Sequence, residues 1–373
     1  MSFELLNIHP SMVELLKKNG ISNPTPIQRL VIPKVFGGLD LVVKSETGSG
    51  KTLAYLLPLL ELIDTSVDAL QTLIVVPTRE LALQVQGVAN GLAEVFGTRA
   101  LAIYGGVRSS EQLKKLKHPP HLIVATPGRL MDFLSLGEIA LDRVKHFVLD
   151  EADQLLLDGF KPEIEHLFMR LPGNRQTLFL SATLSARVNK LAHRLAYQPT
   201  VCRLDKSPVH DEFMRQEVVL TTDRQKFPAL QLVLEADNPY LAIIFCRTKR
   251  RADELFLKMK KYGFNGGVIH SDISQNKRER LLKSFRSGDL QFLIATDVAA
   301  RGLDIAHVTH IYNFDVPESL ETYIHRIGRT ARAGATGQSC TFIGEHDEGL
   351  FAPIKQQFGG ALVHRTVKIG SKS

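Results

Sequence analysis

Leu41-Val42-Val43-Lys44-Ser45-Glu46-Thr47-Gly48-Ser49-Gly50-Lys51-Thr52-Leu53-Ala54-Tyr55-Leu56-Leu57 is the stretch that decides the fold. A short apolar run gives way to a loop of small residues, and the loop opens into a second apolar segment. That order reads as strand, phosphate-cradling loop, helix. Gly48, Ser49 and Gly50 let backbone N–H groups converge on phosphate oxygens, and the start of the helix adds positive potential. Lys51 is placed to reach the outer phosphates as a point charge. Thr52 is placed to offer its hydroxyl to Mg²⁺. Ser45 stands where the G-x-x-x-x-G-K-[ST] pattern formally has its first glycine.

Asp150-Glu151-Ala152-Asp153 supplies the other half of a triphosphate site. It follows the apolar run Phe147-Val148-Leu149, and a carboxylate at a strand end of an α/β sheet lies in the crevice where ligands bind. Asp150 can hold the metal, and Glu151 can orient or deprotonate a water. The same tetrapeptide also occurs on solvated helices. Two such pieces at strand ends, in this order, favour the site.

At 373 residues the chain exceeds what one core organises and implies two domains. A hydrophobic content of 44% and a charged content of 23% are those of an ordinary globular protein. A net charge of +7 and a pI of about 9.2 favour an anionic partner such as nucleic acid. Cys202, Cys246 and Cys340 are scattered and odd in number, which argues against disulfides and a zinc site and fits a reducing compartment. The sequence begins Met1-Ser2-Phe3-Glu4, without a signal-like segment, and no apolar run reaches membrane length. A cytoplasmic monomer is expected.

Short apolar runs alternate with helical patterns along the whole chain. In the first half, strands are expected at Leu41–Lys44, Thr72–Val76, Leu101–Tyr104, Leu122–Ala125, His146–Leu149 and Thr177–Leu180, with helices such as Glu80–Val95 and Ala186–Ala196. The pattern stops around Leu204-Asp205-Lys206-Ser207-Pro208-Val209-His210-Asp211, a linker composition. It resumes with strands expected at Gln216–Leu220, Leu241–Cys246, Gly267–Ile269, Phe292–Ala295, His307–Tyr312 and Ser339–Ile343, and helices at Arg250–Tyr262, Gln275–Phe285 and Glu318–Ile327. Such alternation predicts parallel sheets with helices on both faces. The domains are expected at residues 1–204 and 213–373, joined by a linker at 205–212. No second phosphate loop occurs in the latter half, and no low-complexity tail follows it.

Taken together with further motifs in the same order, the chain resembles the DEAD-box RNA helicases of superfamily 2, from Phe3 to about Gly344. The resemblance implies two RecA-like α/β domains and RNA-stimulated hydrolysis of ATP with Mg²⁺, coupled to local unwinding of RNA. Gly20-Ile21-Ser22-Asn23-Pro24-Thr25-Pro26-Ile27-Gln28 resembles the family's adenine-sensing segment, with Phe3 as its upstream aromatic. Gln28 is then the adenine reader. Ile21 stands where the family usually stacks an aromatic on the base.

The resemblance implies RNA-backbone contacts at Pro77-Thr78-Arg79, at Gly106 of Gly105-Gly106, and at Thr126-Pro127-Gly128-Arg129, where hydroxyls, arginines and helix starts meet phosphates without reading sequence. Taken singly, each is an ordinary helix start. Ser181-Ala182-Thr183 resembles the motif that couples hydrolysis to strand separation. In the second half, Ile243-Ile244-Phe245-Cys246-Arg247-Thr248 resembles the fourth motif, and His270-Ser271-Asp272 leads to Gln275 and Arg278, which face RNA in the family. Ala295-Thr296-Asp297-Val298-Ala299-Ala300-Arg301-Gly302-Leu303-Asp304 resembles the fifth, with Thr296 and Arg301 on RNA phosphate and Asp297 near the ribose. His325-Arg326-Ile327-Gly328-Arg329-Thr330-Ala331-Arg332 resembles the sixth, which makes Arg329 and Arg332 arginine fingers.

The same motifs also suit an ATP-gated RNA clamp or a DNA translocase. Asp153 and the adenine segment favour an RNA enzyme over the latter. Because the contacts go to backbone, the RNA target is not encoded in the core; ribosome precursors and other ribonucleoprotein particles are natural substrates for such an activity.

Overall fold

The computed structural model describes residues 2–45, 48–204, 214–300, 305, 307–330 and 336–369. The chain divides between residues 205 and 206 into two units. The expected linker at 205–212 lies outside the described residues.

The first unit is built on seven parallel strands: β1 (Leu41–Lys44), β2 (Thr72–Val75), β3 (Ala100–Ile103), β4 (Leu122–Ala125), β5 (His146–Leu149), β6 (Gln176–Ser181) and β7 (Thr200–Arg203). Their spatial order is β3-β4-β2-β5-β6-β1-β7. β1 to β6 are apolar through their middles because helices cover both faces. Successive side chains of a strand point to opposite faces. Accordingly Ile74, Val124, Val148 and Leu178 join one buried cluster, while Leu73, Val75, Ile123, Phe147 and Phe179 join another.

The second unit repeats this plan with β8 (Met214–Leu220), β9 (Ala242–Cys246), β10 (Gly266–Ile269), β11 (Phe292–Thr296), β12 (His310–Asn313), β13 (Gly337–Ile343) and β14 (Leu362–His364). The order is β10-β11-β9-β12-β13-β8-β14. Position for position it is the order of the first sheet, so β8 corresponds to β1, β12 to β5 and β13 to β6. Again Ile244 faces one cluster and Ile243 the other.

Helix starts follow local chemistry. Thr78, Ser185, Thr248 and Ser319 each accept a backbone N–H in the first turn with a side-chain oxygen. The Ser319 cap sets the start of the helix Leu320–Ile327, two residues later than the expected Glu318. The strand expected from His307 begins only at His310, because His307 has φ 66°, which a strand does not tolerate. β7 and β14 were not expected. Both are edge strands: Val201 and Arg203 are exposed in one, Val363 and His364 in the other, so neither presents an apolar run.

Candidate active site

The phosphate loop leaves β1 with its backbone tied to the neighbouring strand, Ser45 N–H donating to the Ser181 carbonyl at 3.0 Å. Gly48 and Gly50 take φ of 85° and 93°, a region open to glycine and costly for other residues. Gly50 closes the loop and precedes the helix Lys51–Leu62. The Ser45 hydroxyl meets that of Ser49 at 2.5 Å, and the Lys51 ammonium donates to the Ser45 carbonyl. The lysine's charge is therefore held at the mouth of its own loop.

The adenine-segment residues pack directly on this loop. Thr25 and Gln28 form a reciprocal cap at the start of the helix Pro26–Phe36: the Thr25 N–H donates to Gln28 Oε1 at 2.9 Å, and the Gln28 N–H to Thr25 Oγ1 at 3.5 Å. Gln28 Nε2 then donates to the Gly50 carbonyl at 3.1 Å. One N–H of that amide remains available to a base. A Cβ at Gly50 would lie 2.6 Å from Gln28 Nε2, so glycine is required for the approach. Ile21 is half-buried against the N-terminal core, whereas Phe3 is wholly inside it, at 0% exposure. Phe3 is thus a core residue of this unit.

Asp150 follows β5 and is 3% exposed. Its Oδ1 accepts the Glu151 N–H at 2.9 Å, and its Oδ2 accepts the Tyr55 hydroxyl at 2.9 Å. Burial pushes its carboxyl up to about 6, although the Lys51 charge pulls the other way. Glu151 sits at φ 52°, ψ 49° and begins the helix Ala152–Leu157. Left-handed backbone at a glutamate is strained and is found where function over-determines it. Its Oε2 is buried without a hydrogen-bond partner among the described residues. Asp153 is 2% exposed, and its Oδ2 accepts both the N–H and the hydroxyl of Thr183, at 2.9 and 2.8 Å. The Ser181 hydroxyl donates to the Thr183 carbonyl at 2.6 Å.

The donor set suits Mg²⁺. Thr52 and Asp150 offer hard oxygens, and Asp150 accepts the Tyr55 hydroxyl. Mg²⁺ takes one or two protein carboxylates and otherwise keeps water and phosphate oxygens. Those two residues would hold it.

The remaining motifs of the first unit lie at the same, C-terminal edge of the sheet. Pro77-Thr78 follow β2, Gly105-Gly106 follow β3 and Thr126 follows β4, three adjacent strands. Thr126 makes no side-chain cap, and Gly128 is exposed. The Arg79 guanidinium lies 4.7 Å from the centre of the Tyr104 ring. Arg129 is 13% exposed; it donates to the Val107 carbonyl at 3.1 Å, and its Nη1 has no partner among the described residues. The nucleotide motifs occupy the other half of the edge, at β5, β6 and β1.

In the second unit, Asp297 is gripped at both oxygens by Arg326, at 2.6 and 2.8 Å. Arg326 is 2% exposed; it also donates to Asn313 Oδ1 and the Asp315 carbonyl, which joins the fifth and sixth motifs. Thr296 ends β11 and is nearly buried. Arg278 donates to the Ala299 carbonyl at 2.8 Å, and Gln275 to Glu279 at 3.0 Å. Arg247 is engaged by Asp347 at 3.1 Å and by the Val316 carbonyl at 3.2 Å. Arg329 donates to the His325 carbonyl at 3.2 Å. Arg301 and Arg332 lie outside the described residues.

Three participants escaped the sequence reading. Tyr55 lay within an apolar segment, Arg326 within a motif whose other arginines took the roles, and Lys226 within no motif. Lys226 is 2% exposed, with Asp347 at 2.7 Å, Asp223 at 3.7 Å and Asp315 at 3.9 Å. Only its place as first residue of the helix after β8 could have flagged it.

Comparison with known proteins agrees with this geometry. Residues 25–191 match the DEAD/DEAH box helicase family, and residues 225–334 match the helicase conserved C-terminal domain. The chain is 40% identical over 355 residues to the DEAD-box ATP-dependent RNA helicase CshA of Geobacillus kaustophilus, covering 95% of this chain and 76% of that protein. It is 40% identical over 343 residues to the ATP-dependent RNA helicase CshA of Limosilactobacillus reuteri, covering 92% and 69%. Among solved structures it is similar to S. cerevisiae Dbp5 bound to RNA and ADP BeF3, with a TM-score of 0.88, 27% identity and coverage of 98% and 95%. It is also similar to Mss116p bound to ssRNA and AMP-PNP, with a TM-score of 0.86, 30% identity and coverage of 98% and 79%.

Proposed function

This chain belongs to the DEAD-box family of ATP-dependent RNA helicases, and on that footing we propose how its own residues divide the work. ATP lies on Gly48, Ser49, Gly50 and Lys51, with adenine read by Gln28 beside Ile21. Thr52 and Asp150 would hold Mg²⁺, which would neutralise phosphate charge. Glu151 activates the attacking water, and the unpartnered Oε2 supports this role. Arg329 and Arg332 stabilise the charge that builds on the γ-phosphoryl oxygens. Pro77, Thr78, Arg79, Gly106, Thr126, Pro127, Gly128 and Arg129 hold RNA backbone, as do Arg247, Gln275, Arg278, Thr296 and Arg301; Asp297 attends the ribose.

One observation carries this reading: the C-terminal edge of the first sheet is partitioned. Three adjacent strands, β3, β4 and β2, end in the backbone-binding motifs, and the next three, β5, β6 and β1, end in the nucleotide motifs. Ser181 ends β6 and Thr183 follows it, and Asp153 joins Thr183 to the motif at the end of β5. One carboxylate thereby ties the hydrolytic motif to the segment assigned to coupling. The coupled outcome is local, non-processive separation of RNA duplexes or remodelling of ribonucleoprotein particles, ribosome precursors among them, by a cytoplasmic monomer. No helix among the described residues is long and apolar enough to cross a membrane.

The test is steady-state ATP hydrolysis with RNA, with single-stranded DNA and with neither, over a range of salt. The expected result is stimulation by unrelated RNAs alike, falling steeply with salt because the contacts are to phosphate. Equal stimulation by DNA, or dependence on one RNA sequence, would refute the backbone-reading assignment.

A further inference from the structure

We propose that the Tyr55 hydroxyl is a positioning group for the Mg²⁺ site, fixing Asp150, one of the two protein residues that would hold the ion. Tyr55 lies one turn into the helix that starts at the phosphate loop and is 0% exposed. Its hydroxyl donates to Asp150 Oδ2 at 2.9 Å, a hydrogen bond wholly inside the protein. The Thr52 side chain lies beside the same hydroxyl. One phenolic oxygen therefore bridges the first turn of the phosphate-loop helix and the end of β5.

The geometry explains why a hydroxyl matters at a buried aromatic position. A carboxylate as buried as Asp150 needs donors to stay charged and oriented. The Glu151 N–H fixes Oδ1, and Tyr55 fixes Oδ2. Each oxygen has a second lone pair, so neither bond blocks a metal or a metal-bound water. With phenylalanine the ring still fills the core, but Oδ2 loses its donor. Asp150 can then rotate away from the orientation the ion needs. Outer partners that orient metal-holding residues typically contribute about 10–100-fold to metal affinity or activity.

The inference rests on the reading that Thr52 and Asp150 hold the ion, and the experiment separates the two. Affinity for a fluorescent ADP analogue is measured against Mg²⁺ concentration for wild type, Tyr55→Phe and Asp150→Asn, alongside the melting temperature without Mg²⁺. Tyr55→Phe is expected to fold, to bind the nucleotide without Mg²⁺ as wild type does, and to need about tenfold more Mg²⁺ to reach the enhanced affinity. ATP hydrolysis is expected to shift by the same factor in Mg²⁺, with the rate at saturating Mg²⁺ within about threefold of wild type. Asp150→Asn is expected to lose the enhancement. Superimposable Mg²⁺ titrations for wild type and Tyr55→Phe, with the enhancement lost in Asp150→Asn, would overturn the role of Tyr55 alone. An enhancement retained in Asp150→Asn would overturn the metal assignment on which it stands. A lowered melting temperature with an unshifted titration would reduce Tyr55 to a packing residue and equally overturn the proposal.

Discussion

Thr183 gives both its backbone N–H and its hydroxyl to a single oxygen of Asp153, at 2.9 and 2.8 Å, inside a site where Asp153 is 2% exposed. The pair joins the strand-end motif after β6 to the one after β5. Thr183→Ala removes the hydroxyl bond and keeps the N–H bond, so the fold and the nucleotide site survive. Duplex separation is expected to fall at least tenfold while RNA-stimulated ATP hydrolysis stays within about threefold, since a hydrogen bond to a charged group is worth about 1.5–3 kcal/mol. Parallel unwinding and ATPase assays decide it: equal losses in both would mean that the pair serves the chemistry and not the coupling.

Glu151→Gln keeps the shape of the side chain and removes its basicity. Hydrolysis is expected to drop by ~10²–10⁴, the usual contribution of a positioned general base, with ATP and RNA affinities unchanged. Retention of more than about a tenth of the wild-type rate would exclude Glu151 as the base.

Gly50→Ala tests how the adenine segment meets the phosphate loop. The new Cβ would sit 2.6 Å from Gln28 Nε2 and 3.0 Å from Thr25 Oγ1, on a backbone at φ 93°. Strain of about 1–3 kcal/mol is expected from the dihedral alone. Nucleotide affinity is expected to fall for ATP and ADP alike, because the loop and Gln28 move together. Thermal unfolding and equilibrium binding of both nucleotides provide the measurement, and unchanged affinity would break the link.

Asp347→Asn in the second unit leaves the buried Lys226 with Asp223 and Asp315, at 3.7 and 3.9 Å. Destabilisation of about 3 kcal/mol is expected, toward the low end for breaking a buried ion pair because those carboxylates remain. The effect has a pH signature. Burial would raise the Asp347 carboxyl, but Lys226, the Gly344 N–H and Arg247 outweigh it and hold it below the usual carboxylate range. A depressed folded value means stability that is present above the unfolded value of about 4 and lost as pH falls through the folded one. The gap between wild type and variant is therefore full at neutral pH and narrows below about pH 4. Denaturant unfolding of both proteins across that range measures it, and a gap that stays constant down to strongly acid pH would contradict the ion-pair account.

Twelve of the strands could be read from apolar runs, because a parallel strand covered on both faces is predominantly apolar. β7 and β14 could not, because each turns two of its residues to solvent and so carries no apolar run. The residues of the site were legible where chemistry forces a residue type, as at Lys51, Asp150 and Gly50. They were not legible where burial converts an ordinary residue into a functional one. Tyr55 and Arg326 carry the same letters as a core aromatic and a surface cation, and only the partners that folding brings to them give those letters meaning.

The two sheets share one strand order, and in each the helix after the first strand begins on a lysine: Lys51 after β1, Lys226 after β8. The first lysine rests on its loop's own carbonyl and so is free to exchange that contact for a phosphate. The second is clasped by Asp347, which also accepts the Gly344 N–H following β13 and a bond from Arg247. An anion already stands there, supplied by the polypeptide itself. The second unit carries its own anion in that place, so the stoichiometry expected is one nucleotide for each chain.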